Sequence, residues 1–137
     1  MIVLDTNVLS ELMKASPDEA VSQWLQGNRG EELCATAITA AEIHNGIEQM
    51  LQGRRRKQVR EAAGDAFAMV EADLLSFTAE AAMAYSVVLR DRRRAGLPIV
   101  VLDAQIAAIC LVESAALATK NTQDFARTGV ELINPWE

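Results

Sequence analysis

This sequence of 137 residues has few of the residues that form disulfides or metal sites, and it has no long apolar segment. It has one histidine and two cysteines, and Cys34 and Cys110 stand singly inside apolar runs, which argues against a zinc site or a disulfide framework. Apolar runs such as residues 106–112 fall far short of the ~20 residues that a membrane span requires. The first residues lack the basic segment and long apolar stretch of a secretory signal. We therefore expect a cytoplasmic protein with reduced cysteines and no membrane partner.

Proline and glycine are also few, with 3 and 7 residues in a sequence that is 50% hydrophobic, and this composition argues against disorder. The length falls within the ~100–150 residues typical of one domain, which can bury a core without disulfides or a structural metal. We therefore predict a single domain that covers residues 1–137.

The charge is unevenly distributed along the chain. The 19 acidic residues exceed the 13 basic ones, for a formal net charge of −6, yet nine of the 13 cations lie in the short segments 54–60 and 90–94. Each basic cluster has two interpretations, a solvated helix end or a patch that binds the phosphates of a nucleic acid. Composition alone does not choose between them.

Strand and helix signals alternate along the sequence. Short apolar runs predict strands at residues 1–4, 33–36, 99–102, 117–119 and 131–133, with 74–77 as a further candidate. Helical spacing predicts helices between them, including one capped by Ser16, one that begins at Thr39 and a long one capped by Thr78. Such alternation is typical of right-handed crossovers between parallel strands. The sequence thus predicts a three-layer α/β/α domain with a mainly parallel sheet of about five short strands.

Acidic and amide side chains follow several of the predicted strands. Asp5 ends the first strand, Glu42 lies in the first turn of the helix after the second, and Asp103 ends the 99–102 run. Asn121 and Asp124 follow the strand at 117–119. Because the carboxyl ends of parallel strands share one edge of a sheet, these side chains can converge there.

Each of these residues also fits a purely structural role. Asp5 and Asp103 suit helix N-caps, the segment 39–42 fits the S/T-x-x-E capping box, and the segment 121–124 fits an Asx turn. Several carboxylates on one rim would nevertheless repel one another unless a cation lay among them. Mg²⁺ and Mn²⁺ prefer oxygen ligands, so the rim suits one or two of these ions. Two ions could clamp the attacking and leaving oxygens of a phosphodiester.

Five segments form an ordered set of motifs. They are residues 2–10 (IVLDTNVLS), 39–47 (TAAEIHNGI), 103–108 (DAQIAA), 119–125 (TKNTQDF) and 134–136 (NPW). This set resembles PIN-domain ribonucleases and, within that superfamily, the VapC and FitB-like toxins of bacterial toxin–antitoxin pairs. The resemblance extends over nearly the whole chain, and the ordered set is far more specific than any single motif.

The resemblance implies a set of site residues. Asp5, Glu42 and Asp103 would hold one or two Mg²⁺ or Mn²⁺ ions, with Thr6 and Asn7 as polar support near the metal. The fourth position is open, because some relatives have an acid at the position of Asn121 and others have this same Asn followed by an acid.

For the fourth position we favour Asp124, acting on water rather than on the metal directly. The implied reaction is attack by an activated water on an RNA phosphate in line, which leaves 5′-phosphate and 3′-hydroxyl ends. The implied partners are a small VapB-like antitoxin and a second copy of the chain in a homodimer, which can extend to larger toxin–antitoxin assemblies.

Under this hypothesis the basic clusters contact RNA. The predicted RNA-binding residues are Arg54, Arg55, Arg56, Lys57, Arg92 and Arg93. Trp24 and Trp136 are interpreted as packing residues rather than platforms for base stacking.

Three other functions are compatible with parts of the pattern. A HAD-like phosphatase would present Asp5 as a nucleophile but expects a second aspartate two residues later, where this chain has Asn7. A phospho-receiver would need a phosphoacceptor aspartate paired with a lysine, which the sequence lacks in recognisable form. A non-catalytic PIN-like module that binds RNA without cutting it is also compatible with the sequence, and the nuclease is the leading hypothesis.

Overall fold

The structure is a computed structural model, and it describes residues 1–70 and 74–137. In chain order these residues form β1 (Ile2–Leu4), α1 (Thr6–Leu12), α2 (Glu19–Gly27), β2 (Leu33–Cys34), α3 (Ala37–Glu48), α4 (Arg54–Ala68), α5 (Ala79–Arg94), α6 (Val101–Glu113), β3 (Ala116–Ala118) and β4 (Leu132–Ile133). A 3-10 helix at Thr122–Phe125 lies between β3 and β4.

The four strands found in residues 1–70 and 74–137 form one parallel sheet in the order β2-β1-β3-β4. β1 is central, because Ile2 is in register with Leu33 of β2 on one side and with Ala116 of β3 on the other. The first connection runs from β1 to β2 on one side, and the later part of the chain adds β3 on the other side. This change of direction creates a crevice at the carboxyl ends of β1 and β3. The prediction of a mainly parallel sheet is confirmed, with four strands instead of about five.

Side chains on β1 alternate between two apolar layers, as they must on an extended strand. Leu4 packs in a cluster with Ile43 of α3 and with residues of α1 and α4, whereas Val3 packs with Val88 of α5 and Ile106 of α6. Val3 and Leu4 are fully buried, and burying each such side chain contributes about 1.5–3 kcal/mol. Helices therefore cover both faces of the sheet, and the predicted three-layer α/β/α architecture is confirmed.

The apolar run at residues 99–102 is not a strand. Val100 occupies the N-cap position of α6, and the helix begins at Val101. A short run that is apolar at every position has no periodicity to separate a strand from a helix, which is why the sequence prediction was wrong. Asp103 consequently lies in the first turn of α6, where a negative charge suits the helix dipole.

Two helices begin at caps other than the predicted ones. Thr36 caps α3, because its hydroxyl accepts the N–H of Thr39 at 3.1 Å. Thr39 therefore lies inside the helix, the capping box at 39–42 does not form, and Glu42 falls in the second turn instead of the first. Asp18 caps α2 in place of Ser16, since its carboxylate accepts a main-chain N–H at 2.9 Å.

The candidate strand at residues 74–77 is reduced to one isolated parallel bridge between Leu75 and Thr36. The predicted cap of α5 is confirmed, because the Thr78 hydroxyl accepts the N–H of Ala81 at 3.1 Å. None of the described helices combines the length and the apolarity needed to cross a membrane.

Candidate active site

A cleft of about 440 Å³ opens at the carboxyl ends of β1 and β3, where the strand order changes direction. Six of the residues predicted from sequence line it, namely Asp5, Thr6, Asn7, Glu42, Asp103 and Asn121. Two larger depressions of about 580 Å³ lie elsewhere, but their walls carry no cluster of carboxylates. The chemistry of the lining residues therefore identifies the smaller cleft as the candidate site.

Asp5 is a buried carboxylate with three hydrogen-bond donors. Its Oδ1 accepts the N–H of Thr6 at 2.8 Å, and its Oδ2 accepts the Thr119 hydroxyl at 2.7 Å and Asn7 Nδ2 at 3.2 Å. Burial raises the pKa of Asp5 above its usual range despite these bonds, and the charge of Asp124 adds to the rise. The three donors fix the position of the carboxylate at the end of β1.

Thr119 links the two strands that border the cleft, and sequence reasoning missed it. While its buried hydroxyl donates to Asp5, its Oγ1 accepts Asn7 Nδ2 at 3.2 Å and the N–H of Asn121 at 3.1 Å. Its position directly after β3 and two residues before Asn121 was the signal that could have revealed it.

Glu42 reaches the cleft from α3 and is held by Thr6. The Thr6 hydroxyl donates to Glu42 Oε1 at 2.8 Å and lies 3.1 Å from the hydroxyl of Thr39. Thr6 thus contacts Asp5 through its main chain and Glu42 through its side chain, so one residue sets the spacing of two acids.

Asp103 lines the cleft with a strongly raised pKa. Burial raises its pKa from 3.8 to about 6, and the charges of Asp5, Asp124 and Glu42 contribute in that order, against a smaller opposing effect of Arg92. Asp124 does not line the cleft, yet it is close enough to raise the pKa of both Asp5 and Asp103. The structure therefore brings all four predicted acids into one electrostatic cluster.

The donor set suits a hard divalent cation. It consists of carboxylate, amide and hydroxyl oxygens, without a thiol or imidazole, and its carboxylates destabilise one another when charged. Across residues 1–70 and 74–137, no three Asp, Glu, His or Cys side chains are arranged around a single metal position. The oxygen donors that line the cleft fit Mg²⁺, which usually binds through one or two carboxylates and fills its other positions with water or substrate oxygens.

The residues of the two basic clusters differ in their exposure and in their partners. Arg54, Arg55 and Lys57 are exposed in the first turn of α4, whereas Arg56 binds Glu48 at 2.6 Å. Arg93 is also exposed, near the end of α5.

Arg92 is the exception, because it is only 4% exposed and its guanidinium binds main-chain carbonyls. The burial of Arg92 and its main-chain partners therefore do not favour the predicted contact with RNA, which stays a prediction.

Lys120 and Trp136 also line the cleft, and sequence reasoning assigned neither to the site. The Lys120 ammonium lies 5.1 Å from the centre of the Trp136 ring, within the range of a cation–π contact. Trp24 and Trp136 both pack against the apolar cluster that contains Leu4, as their interpretation as packing residues requires, and Trp136 borders the cleft as well.

The fold and the acidic cleft define an α/β protein with a candidate metal site at a topological switch point. The family model described as PIN domain matches residues 2–131, and the chain belongs to the PIN domain family. It is 37% identical over 138 residues to "VapC ribonuclease Y4jK" of Sinorhizobium fredii, a match that covers 100% of this chain and 99% of that protein. It is 32% identical over 137 residues to "Toxin FitB" of Neisseria gonorrhoeae, with 99% of each chain covered.

A solved structure supports the same assignment. The crystal structure of FitAcB from Neisseria gonorrhoeae superposes with a TM-score of 0.90 at 31% identity and covers 100% of this chain and 99% of the other. The resemblance inferred from the five sequence motifs is confirmed.

Proposed function

We propose that this protein is a metal-dependent endoribonuclease toxin, which hydrolyses RNA phosphodiesters and is neutralised by a small VapB-like antitoxin. The observation that carries the proposal is the cluster of Asp5, Glu42, Asp103 and Asp124, whose charges help to raise the pKa of Asp103 to about 6. The similarity to proteins named VapC ribonuclease and Toxin FitB supports RNA as the substrate and toxin as the class.

In this mechanism Asp5, Glu42 and Asp103 would hold one or two Mg²⁺ or Mn²⁺ ions. A bound ion would stabilise the negative charge that develops on the phosphate and would activate water as the nucleophile. Thr119 and Asn7 keep the Asp5 carboxylate in place, and Thr6 holds the carboxylate of Glu42.

The remaining polar residues act on water and substrate. Asp124 orients the attacking water, with Asn121 as its neighbour at the cleft wall. The exposed cations Arg54, Arg55 and Lys57 attract the RNA backbone, as clustered Lys and Arg side chains do.

The toxin acts in the cytoplasm as a homodimer. Support for the dimer comes from an apolar patch at the start of α6, formed by Leu97, Val100, Val101 and Leu102. Val100 is 65% exposed and Val101 is 56% exposed. Exposed apolar side chains that adjoin one another in sequence are candidates for a protein contact.

The decisive experiment is an RNA cleavage assay with protein purified free of any antitoxin. Wild type should cut RNA with Mg²⁺ or Mn²⁺ and lose activity in EDTA. Asp5→Asn and Asp103→Asn should each lower the rate at least ~100-fold, because they remove a charged oxygen ligand. Asp65→Asn is the matched control, since Asp65 is an exposed carboxylate on α4 outside the cleft.

Two results would contradict the proposal. Cleavage that persists in EDTA, or full activity in both Asp5→Asn and Asp103→Asn, would exclude a metal site built on these carboxylates. Binding of RNA without cleavage under every metal condition would instead identify the non-catalytic module.

A further inference from the structure

Arg92 is a buried cation at the end of α5 that has no carboxylate partner within the described residues. Its Nη1 donates to the carbonyl of Ala126 at 2.7 Å and lies 3.4 Å from that of Gln123, and its Nη2 donates to the carbonyl of Pro98 at 3.1 Å. The planar guanidinium thus joins two separate main-chain segments to the end of α5.

Both segments carry an acid of the cleft. Pro98 lies two residues before the N-cap of α6, whose first turn contains Asp103. Gln123 and Ala126 belong to or directly follow the 3-10 helix that contains Asp124. The position of each acid relative to the other therefore depends on backbone that Arg92 binds.

Burial of the Arg92 guanidinium lowers the free energy of unfolding unless its contacts compensate. A buried cation loses its hydration, and the Arg92 Nε has no hydrogen-bond partner in the part of the chain that the structure describes. The carbonyl contacts of Arg92 offset part of this cost, because buried carbonyls that lose their donor are penalised in turn. The planar guanidinium can bind both segments at once, which an apolar side chain or an ammonium cannot do in the same way.

We propose that Arg92 is a positioning residue, which holds the segment before Asp103 and the helix that carries Asp124 in the geometry the acidic cleft requires. This inference rests on the proposed metal-dependent nuclease. It replaces the RNA-contact role that the sequence suggested. Arg92 acts on the acidic cleft through the backbone that it binds, and its charge also acts directly on Asp103.

The test compares Arg92→Met, Arg92→Lys and the control Arg94→Met, which removes an exposed cation from the same helix turn. Mn²⁺ affinity is measured without RNA, from the electron paramagnetic resonance signal of free Mn²⁺. Because residues that support metal ligands typically contribute 10- to 100-fold in metal affinity, we expect Arg92→Met to weaken Mn²⁺ binding by about that factor. Arg94→Met should bind Mn²⁺ like wild type.

RNA affinity in EDTA separates positioning from substrate contact. We expect Arg92→Met to bind RNA with wild-type affinity and salt dependence, and Arg92→Lys, which keeps the charge but not the fork, to recover only part of the Mn²⁺ affinity. Circular dichroism confirms folding before each measurement, and Arg92→Lys decides the question if Arg92→Met does not fold.

Each contrary result has a distinct meaning. Folded Arg92 variants that bind Mn²⁺ as tightly as wild type would overturn the positioning role. Weaker RNA binding with a shallower salt slope in EDTA would also overturn it, in favour of direct RNA contact. Failure of wild type itself to bind Mn²⁺ or cleave RNA would contradict the proposed function instead.

Discussion

Asp103 carries a cost in stability that is explained by its position among other acids. Burial and the charges of Asp5, Asp124 and Glu42 raise the pKa of Asp103 from 3.8 to about 6. Between these values the folded chain retains a proton that the unfolded chain has released, so the free energy of unfolding decreases as the pH rises through that window. Above about pH 6 the penalty is complete, and below about pH 4 it is absent.

Replacing Asp103 should therefore stabilise the metal-free protein. We expect Asp103→Asn to raise the free energy of unfolding by ~1–2 kcal/mol at about pH 7.5, a figure reduced because the side chain is partly exposed to solvent. The difference should shrink toward zero at about pH 3, where wild-type Asp103 is largely protonated in both states. Chemical denaturation in EDTA at the two pH values measures it.

The control is again Asp65→Asn, which should change the stability by less than about 0.5 kcal/mol at both pH values. A destabilised Asp103→Asn at about pH 7.5 would show that Asp103 contributes favourable contacts that outweigh the repulsion.

Among the helices, α4 and α5 place their basic clusters at opposite ends. Arg92, Arg93 and Arg94 lie in the last turn of α5, where cations interact favourably with the helix dipole. The cluster that starts at Arg54 lies in the first turn of α4, where the same charges are unfavourable, and no side chain caps this helix at Gly53. Helix stability therefore does not explain the cluster on α4, and its binding to phosphates stays a prediction.

Neutralising the exposed part of that cluster tests the interpretation. We expect the triple variant Arg54→Gln, Arg55→Gln and Lys57→Gln to bind RNA more weakly and to reduce the slope of log affinity against log salt by about 2–3, because each cation that binds a phosphate adds about one to the slope. Arg56 is kept because it binds Glu48. Fluorescence anisotropy with labelled RNA in EDTA, at several salt concentrations, provides the slope.

Arg29→Gln, at an exposed cation outside both clusters, controls for net charge in this experiment. If the slope of log affinity against log salt in the triple variant equals that of wild type, the α4 cluster is a solvated helix end and does not bind phosphates.

Local sequence signals predict some of the elements and fail for others. An apolar run that ends in a polar residue predicts β1 and β3. A Thr before residues with helical spacing predicts the cap of α5. The start of α6 does not, because the 99–102 run is apolar without a period and only tertiary packing decides its conformation. The cap of α3 is displaced by three residues from its predicted position, because Thr36 and Thr39 are equally good caps in sequence.

The acidic site was more predictable than the elements that carry it. Asp5, Glu42 and Asp103 line the cleft even though Glu42 is in the second helical turn and Asp103 follows no strand. The order of elements along a parallel sheet places their ends at one edge, and this placement tolerates errors in local boundaries. The hydrogen bond from Thr119 to Asp5 and the carbonyl partners of Arg92 could not be read from local sequence, because they depend on residues distant in the chain.

For the molecule as a whole, the apolar patch at Leu97, Val100, Val101 and Leu102 predicts the oligomeric state. We expect Val100→Gln with Leu102→Gln to weaken the homodimer at least ~10-fold, because it removes apolar area from the centre of the contact. Sedimentation velocity over a concentration series measures the dissociation constant.

Leu51→Gln is the matched control for the dimer, since Leu51 is 92% exposed and lies between α3 and α4, outside the patch. Equal dimerisation of the double variant and wild type would place the contact on another surface. A wild type that is monomeric at all concentrations would contradict the homodimer itself.

The central strand has a consequence for the time at which the cleft forms during synthesis. Asp5 depends on the Thr119 hydroxyl, and the two residues are separated by 114 positions. At a translation rate of about 5–20 residues per second, roughly 6 to 23 s pass between the synthesis of the first residue and that of the second. During this interval β1 has no β3 to pair with, so the nascent chain carries its acids without the arrangement that would let them act on the RNA around it.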